Sequence, residues 1–132
     1  MSMDNQIKTK NPSLSAQDIS APALFDQFGR IFDYLRIAVN EKCNLRCIYC
    51  MPEKGVPFKP INALLTTAEI TRLLEVTARL GVNKVRFTGG EPLLRKDITE
   101  LVYAAAGTPG IQSVHLTTNG LLLESMVPKL QE

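Results

Sequence analysis

The chain has no cysteine outside one eight-residue stretch, Cys43 to Cys50, and only three in all. An odd count with every thiol local excludes the disulfide framework of a small secreted domain and fits a reducing compartment, so a cytoplasmic protein is expected. There is a single histidine, His115, far from the thiols in sequence, which leaves a structural zinc short of its usual four ligands. No uninterrupted apolar stretch is long enough to span a bilayer, and residues 1–24 lack the apolar core of a secretory signal, so no membrane association is expected. Charge of neither sign dominates: 15 Lys and Arg against 13 Asp and Glu give a net charge of +2. The basic residues form no run interleaved with aromatics, and no nucleic-acid partner is expected. Neither the G-x-G-x-x-G nor the P-loop pattern occurs, and there is no short repeat, heptad or low-complexity tract.

What is present is 132 residues with 45% hydrophobic content, enough for one folded domain or a piece of a larger one. Residues 1–24 are rich in Ser, Asn, Gln, Lys and Pro without helical or strand period, and are expected to form a flexible arm. The folded part is expected over 25–132. Tyr34–Asn40 alternates apolar and non-apolar positions and predicts a strand. Met51–Leu65, with Pro52, Gly55, Pro57 and Pro60, predicts a long irregular loop. Thr66 and Glu69 have capping-box spacing ahead of a helix carrying Ile70, Leu73, Leu74 and Thr77, which Gly81 is placed to end. Lys84–Thr88 predicts a second strand and Asp97–Ala106 a second helix. Ser113–Thr118 predicts a third strand, and Leu121–Gln131 a third helix compromised by Pro128 unless that proline falls in the first turn. The order βαβαβα implies an α/β fold with parallel strands. Three such units cannot close a barrel, so an N-terminal portion of a longer protein is expected.

The candidate chemistry falls after the strands, where α/β proteins place their sites. After the first comes Cys43-x3-Cys47-x2-Cys50, with Tyr49 before the last thiol. Three close thiolates suit a metal centre with one open coordination position, such as a four-iron cluster short of its fourth cysteine, although structural or zinc-binding thiols stay open as an alternative. Gly89-Gly90-Glu91-Pro92 follows the second strand; its glycines offer bare backbone for a ligand or simply make a turn. Strand parity sets Leu35, Ile37 and Val39, Val85 and Phe87, and Val114 and Leu116 toward the helices. Arg36, Arg86 and Thr117 then point to the opposite, inner side. Two guanidinium groups and a hydroxyl there suit a polyanion such as a phosphate chain, or else pair with carboxylates elsewhere in the fold. His115 is expected to be a hydrogen-bonded interior residue, and Phe25, Phe28, Phe32 and Phe87 core or staple residues.

With these residues in view, the cysteine motif and Gly89-Gly90-Glu91-Pro92 resemble the signatures of radical S-adenosylmethionine (SAM) enzymes. More narrowly, Phe28-Gly29-Arg30, Tyr34-Leu35-Arg36, Cys50-Met51-Pro52, Val85 to Arg95 and Leu116-Thr117-Thr118-Asn119-Gly120 resemble the GTP 3′,8-cyclase family of molybdenum-cofactor biosynthesis. The resemblance covers about residues 25–132. It implies a partial (β/α)6 barrel of which this chain is the first three βα units. It implies that Cys43, Cys47 and Cys50 bind a 4Fe-4S cluster, that Tyr49, Gly90 and Glu91 belong to the SAM site, and that Arg36, Arg86 and Thr117 contact GTP. Reductive cleavage of SAM would then give a 5′-deoxyadenosyl radical that starts cyclisation of GTP to the 3′,8-cyclo nucleotide. A low-potential electron donor such as a flavodoxin or ferredoxin and a homodimer of the full-length protein are implied as partners.

The chain departs from the family in length, in having no cysteine after Cys50 for a second cluster, and in lacking a C-terminal Gly-Gly. Two alternatives stand beside the cyclase: another radical SAM enzyme acting on a peptide or small molecule, and a non-catalytic metal-binding or electron-transfer module.

Overall fold

The computed structural model describes residues 24–50 and 52–131. Almost all of the expected arm, and Met51, lie outside the described residues. Leu24, placed in that arm by the sequence, instead packs against the core and accepts the Phe32 N–H through its carbonyl at 2.9 Å.

The elements follow the expected order: β1 (Tyr34–Ala38), α1 (Thr67–Arg79), β2 (Lys84–Thr88), α2 (Ile98–Gly107), β3 (Ser113–Leu116) and α3 (Leu123–Leu130). Short 3-10 turns at Ile61–Ala63 and Pro92–Leu94 interrupt the connections. The three strands form one parallel sheet in the order β1-β2-β3. The α/β class and the parallel sheet are thus as the βα rhythm requires.

Local chemistry explains the helix ends. The Thr66 hydroxyl accepts the Glu69 N–H at 3.3 Å while the Glu69 carboxylate accepts the Thr66 N–H at 2.8 Å, a closed capping box. At the other end Gly81 takes φ of 95°, and the Val82 N–H reaches back to the Thr77 carbonyl at 3.0 Å, satisfying the last turn. Pro128 lies inside α3, well past its first turn, where it withholds one intrahelical donor; α3 buries none of its residues fully.

The core lies between one face of the sheet and the helices. Ile37, Val39, Val85 and Phe87 are buried there against Ile70 and Leu74 of α1 and Ile98, Leu101 and Ala105 of α2. Val114 and Leu116 are half-buried at its margin. The parity reading therefore holds for every strand. The separate expectation that Phe25, Phe28, Phe32 and Phe87 are core or staple residues holds for Phe87, whereas Phe25, Phe28 and Phe32 are exposed. They sit in a small knob closed by a Phe25–Ile31 antiparallel bridge, and Phe28 lies under the Arg30 guanidinium at 5.8 Å. A few residues around a turn cannot bury three aromatic rings.

Candidate functional site

The sheet ends where the cysteine loop begins, and backbone bonds carry the β1–β2 ladder past both strands. Val39 N donates to the Thr88 carbonyl at 2.8 Å, Gly90 N to Asn40 at 2.9 Å, and Glu91 N to Lys42 at 2.7 Å. The stem of the loop thus lies directly on Gly89-Gly90. A β-carbon at Gly90 would sit 2.3 Å from the Lys42 carbonyl oxygen, and one at Gly89 would sit 2.3 Å from that of Asn40. Gly89 also holds φ of 145°, a conformation side chains disfavour. The sequence leaves this bare backbone open to a ligand or to a simple turn. On the side where β-carbons would project, the protein's own chain occupies it, although Gly90 remains exposed elsewhere.

Within the loop, Cys43 and Cys47 are half-buried and Cys50 is exposed, and all three are free thiols. Arg46 folds over the backbone, donating to the carbonyls of Cys43 and Leu45 at 2.9 Å each. Leu45 N lies 3.4 Å from the Cys43 sulfur. Ile48 and Tyr49 project into solvent. A hydrogen bond with Cys47, and then the nearby thiolate charges, push the Tyr49 phenol above its ordinary range. Among the described residues no three Cys, His, Asp or Glu side chains converge on one point as ligands of a single ion would. A thiolate set spread along a loop fits a cuboidal cluster, whose cysteines sit on separate iron corners, better than it fits zinc.

The inner face of the sheet carries the cations. Arg36 and Arg86 are direct cross-strand partners, and Arg86 is opposite His115 on the other side. Arg86 Nη1 donates to the Thr117 hydroxyl at 3.1 Å, and its Nε donates to the Tyr34 hydroxyl at 2.5 Å. Arg86 and Thr117 are therefore brought into contact, with Arg36 alongside. Lys84, of the same parity, is tied to Asp33 at 3.3 Å. Among the described residues no carboxylate pairs with Arg36 or Arg86. Like charges opposite one another in a ladder repel, so this arrangement favours a bound anion. His115 is exposed rather than interior, and no hydrogen bond to its ring is made among the described residues. The inner face of the described sheet is open at His115, which is why the expected interior placement does not hold.

Glu91 is only 1% exposed. Its Oε1 accepts the Leu93 N–H at 3.0 Å and the Thr118 hydroxyl at 2.7 Å, and its Oε2 accepts the Asn119 N–H at 2.8 Å. Its carbonyl accepts from Asn40 Nδ2 at 2.7 Å. This carboxylate ties the ends of β2 and β3 together, so its bond partners are protein groups and it shapes the site from behind.

Sequence reasoning missed Tyr34, although its parity with Arg36 placed it on the same face. It also missed Arg95 and Asp97 as a clamp. The Arg95 guanidinium donates to the carbonyls of Val39 at 2.8 Å and Leu65 at 3.0 Å, and grips Asp97 through bonds of 2.8 and 2.9 Å. Asp97 also accepts the Thr67 hydroxyl. Hydrogen bonding from Arg95 is the main reason that the Asp97 carboxyl falls to about 2. This clamp borders a cavity of about 550 Å³ between the loop stem and the starts of α1 and α2. None of the three cysteines, nor Arg36, Arg86 or Thr117, lines that cavity.

Residues 37–132 match the model of the radical SAM superfamily. The chain belongs to the radical SAM superfamily. Among curated relatives, this radical SAM chain is 51% identical over 111 residues to molybdenum cofactor biosynthesis protein moc-5 of Caenorhabditis elegans, covering 84% of this chain and 18% of that protein. It is 48% identical over 109 residues to the GTP 3′,8-cyclase of Lactiplantibacillus plantarum, covering 83% of this chain and 33% of the relative. The mouse molybdenum cofactor biosynthesis protein 1 is 51% identical over 109 residues, 83% of this chain and 17% of that one. The chain thus spans a third or less of the length of these relatives. Its fold is similar to crystal structures of BtrN, one in complex with AdoMet and 2-DOIA (TM-score 0.54, 24% identity, 77% of this chain and 42% of BtrN). The other, in an open conformation, has a TM-score of 0.55 and 26% identity, covering 77% of this chain and 46% of BtrN.

Proposed function

We propose that this chain is the cofactor-binding and nucleotide-binding portion of a GTP 3′,8-cyclase acting in molybdenum-cofactor biosynthesis. The observation that carries the substrate is the Arg36–Arg86 pair, unpaired with carboxylates among the described residues, on the sheet face whose end carries the cysteine loop. Relatives named as GTP 3′,8-cyclases or molybdenum-cofactor proteins support the same reading.

In this reading Cys43, Cys47 and Cys50 hold a 4Fe-4S cluster, and Tyr49 and Gly90 lie at the SAM site. Bound there, the cluster and SAM would supply reductive one-electron radical chemistry at the GTP ribose. The chain's own side chains do the positioning. Arg86, oriented by the Tyr34 phenol and the Thr117 hydroxyl, offers its remaining guanidinium donors to phosphate oxygens, and Arg36 neutralises further charge beside it. Glu91, held by three donors, fixes the strand ends that frame the site without adding a mobile charge. A low-potential flavodoxin or ferredoxin serves as electron donor, and the longer protein works as a homodimer.

The test is anaerobic iron–sulfur reconstitution of the intact chain, followed by EPR of the reduced protein with and without SAM. A cluster signal that changes on adding SAM supports the reading; zinc as the bound metal, or a signal indifferent to SAM, overturns it. Titration with GTP separates the cyclase from other radical SAM enzymes. The cyclase reading requires binding that weakens when Arg86 is replaced by Gln.

A further inference from the structure

Among the described residues, the segment Cys43–Cys50 makes one hydrogen bond to the rest of the protein. It joins two side-chain amides, with Asn119 Nδ2 donating to Asn44 Oδ1 at 2.8 Å. Every other bond of the segment is internal: the Arg46 guanidinium to the Cys43 and Leu45 carbonyls, Leu45 N to the Cys43 sulfur, and Cys50 N to the Cys47 carbonyl. The stem before Cys43 is anchored on Gly90 and Glu91, and beyond it the Asn44–Asn119 bond is the loop's one hydrogen-bonded tie among the described residues.

Asn119 is built to hold that bond. Its Oδ1 is committed to the Leu121 N–H at 3.1 Å, which turns the amino end of the amide toward the loop. Its own N–H is held by the buried Glu91 carboxylate, which also takes the neighbouring Thr118 hydroxyl. Two residues earlier, Thr117 receives the Arg86 guanidinium. One short run, Thr117 to Asn119, therefore touches the cation face, the Glu91 anchor and the cysteine loop.

We propose that Asn119 is a positioning residue that couples the two sites: through Asn44 it holds the loop carrying Cys43 in register with the strand end presenting Thr117. The proposal rests on the functional reading above and deepens it, because it names the contact through which nucleotide at Thr117 steadies the first cluster ligand. Asn119 itself touches neither the thiols nor the guanidinium groups through a hydrogen bond among the described residues.

The experiment is site-resolved alkylation of Cys43, Cys47 and Cys50 by iodoacetamide, read by mass spectrometry on the intact, metal-free chain. The variants are Asn44→Ala, Asn119→Ala and the two combined; all are uncharged and both positions are exposed, so thiol ionisation and the core are little disturbed. One lost hydrogen bond predicts Cys43 alkylation roughly three- to ten-fold faster in either single variant. The double variant should match Asn119→Ala alone, because the Asn44–Asn119 bond is lost only once. Effects that multiply, an unchanged Cys43 rate, or an equal rise at Cys50 overturn the proposal.

A second arm adds GTP. It should slow Cys43 alkylation in the unaltered chain and leave it unchanged in Asn44→Ala; equal slowing in both overturns the coupling. If GTP does not bind at all, the nucleotide reading fails, and the variant cycle still decides whether Asn119 holds the loop.

Discussion

Replacing Asp97 by Asn tests whether the Arg95 clamp stabilises the junction between the end of β1 and the starts of α1 and α2. Arg95 is 10% exposed and serves two carbonyls and one carboxylate, so the ion pair is largely shielded from solvent. Lowering the Asp97 carboxyl from 3.8 to about 2 corresponds to roughly 2 kcal/mol at neutral pH. Asp97 itself is partly exposed, so solvent screening reduces this to about 1–2 kcal/mol. The sign follows from the depressed folded-state value. The contribution is complete above about pH 5, where an unfolded aspartate is almost fully ionised, and is lost progressively as pH falls through 3.8 toward 2. Urea unfolding at pH 7 and at pH 3 measures it without added salt. The Asp97→Asn change should cost about 1–2 kcal/mol at pH 7, and the gap between the two proteins should narrow at pH 3. Asp26 and Glu69, whose carboxyls are also lowered by hydrogen bonds, contribute equally to both proteins and cancel in the comparison. A gap that is the same at both pH values, or no gap at pH 7, would refute the reasoning. Arg95→Ala should cost more, about 2–3 kcal/mol, because it removes the donor shared by a carboxylate and two carbonyls at once.

Three further outcomes are expected. Gly90→Ala should destabilise the chain by about 1–3 kcal/mol, since its β-carbon would collide with the Lys42 carbonyl; thermal unfolding reports the loss, and faster alkylation of Cys43 reports the displaced loop. Tyr34→Phe, which removes the hydroxyl accepting from Arg86, should weaken GTP binding by about two- to ten-fold, against about ten- to a hundred-fold for Arg86→Gln, as read by calorimetric titration. Thr66→Ala should lower stability by about 1 kcal/mol through loss of the capping box, with GTP affinity unchanged.

Most of the fold was legible because it depends on periodicity. Alternation along KVRFT put Val85 and Phe87 in the core and Arg86 on the open face, and the Thr66–Glu69 spacing located the start of α1. The candidate site was legible where it followed the same alternation, as with Arg36, Arg86 and Thr117. What the sequence did not reveal depends on long side chains crossing between segments. Arg95 reaches Val39 across 56 residues, and Asn119 reaches Asn44 across 75; neither contact leaves a periodic trace. The exposure of Phe25, Phe28 and Phe32 escapes the sequence for a related reason, since hydrophobicity alone does not say whether enough surrounding chain exists to cover a ring.

The close seating of the loop stem on Gly89 and Gly90 has a practical consequence. Lys42 takes part in that junction through its carbonyl oxygen, while its side chain is exposed. A cysteine-independent label attached there, such as a fluorophore on a noncanonical amino acid, would ride beside the thiols without touching the junction that locates them. Movements of the cysteine loop could then be followed in real time, a vantage point that tight backbone-to-backbone contact leaves open to the experimenter.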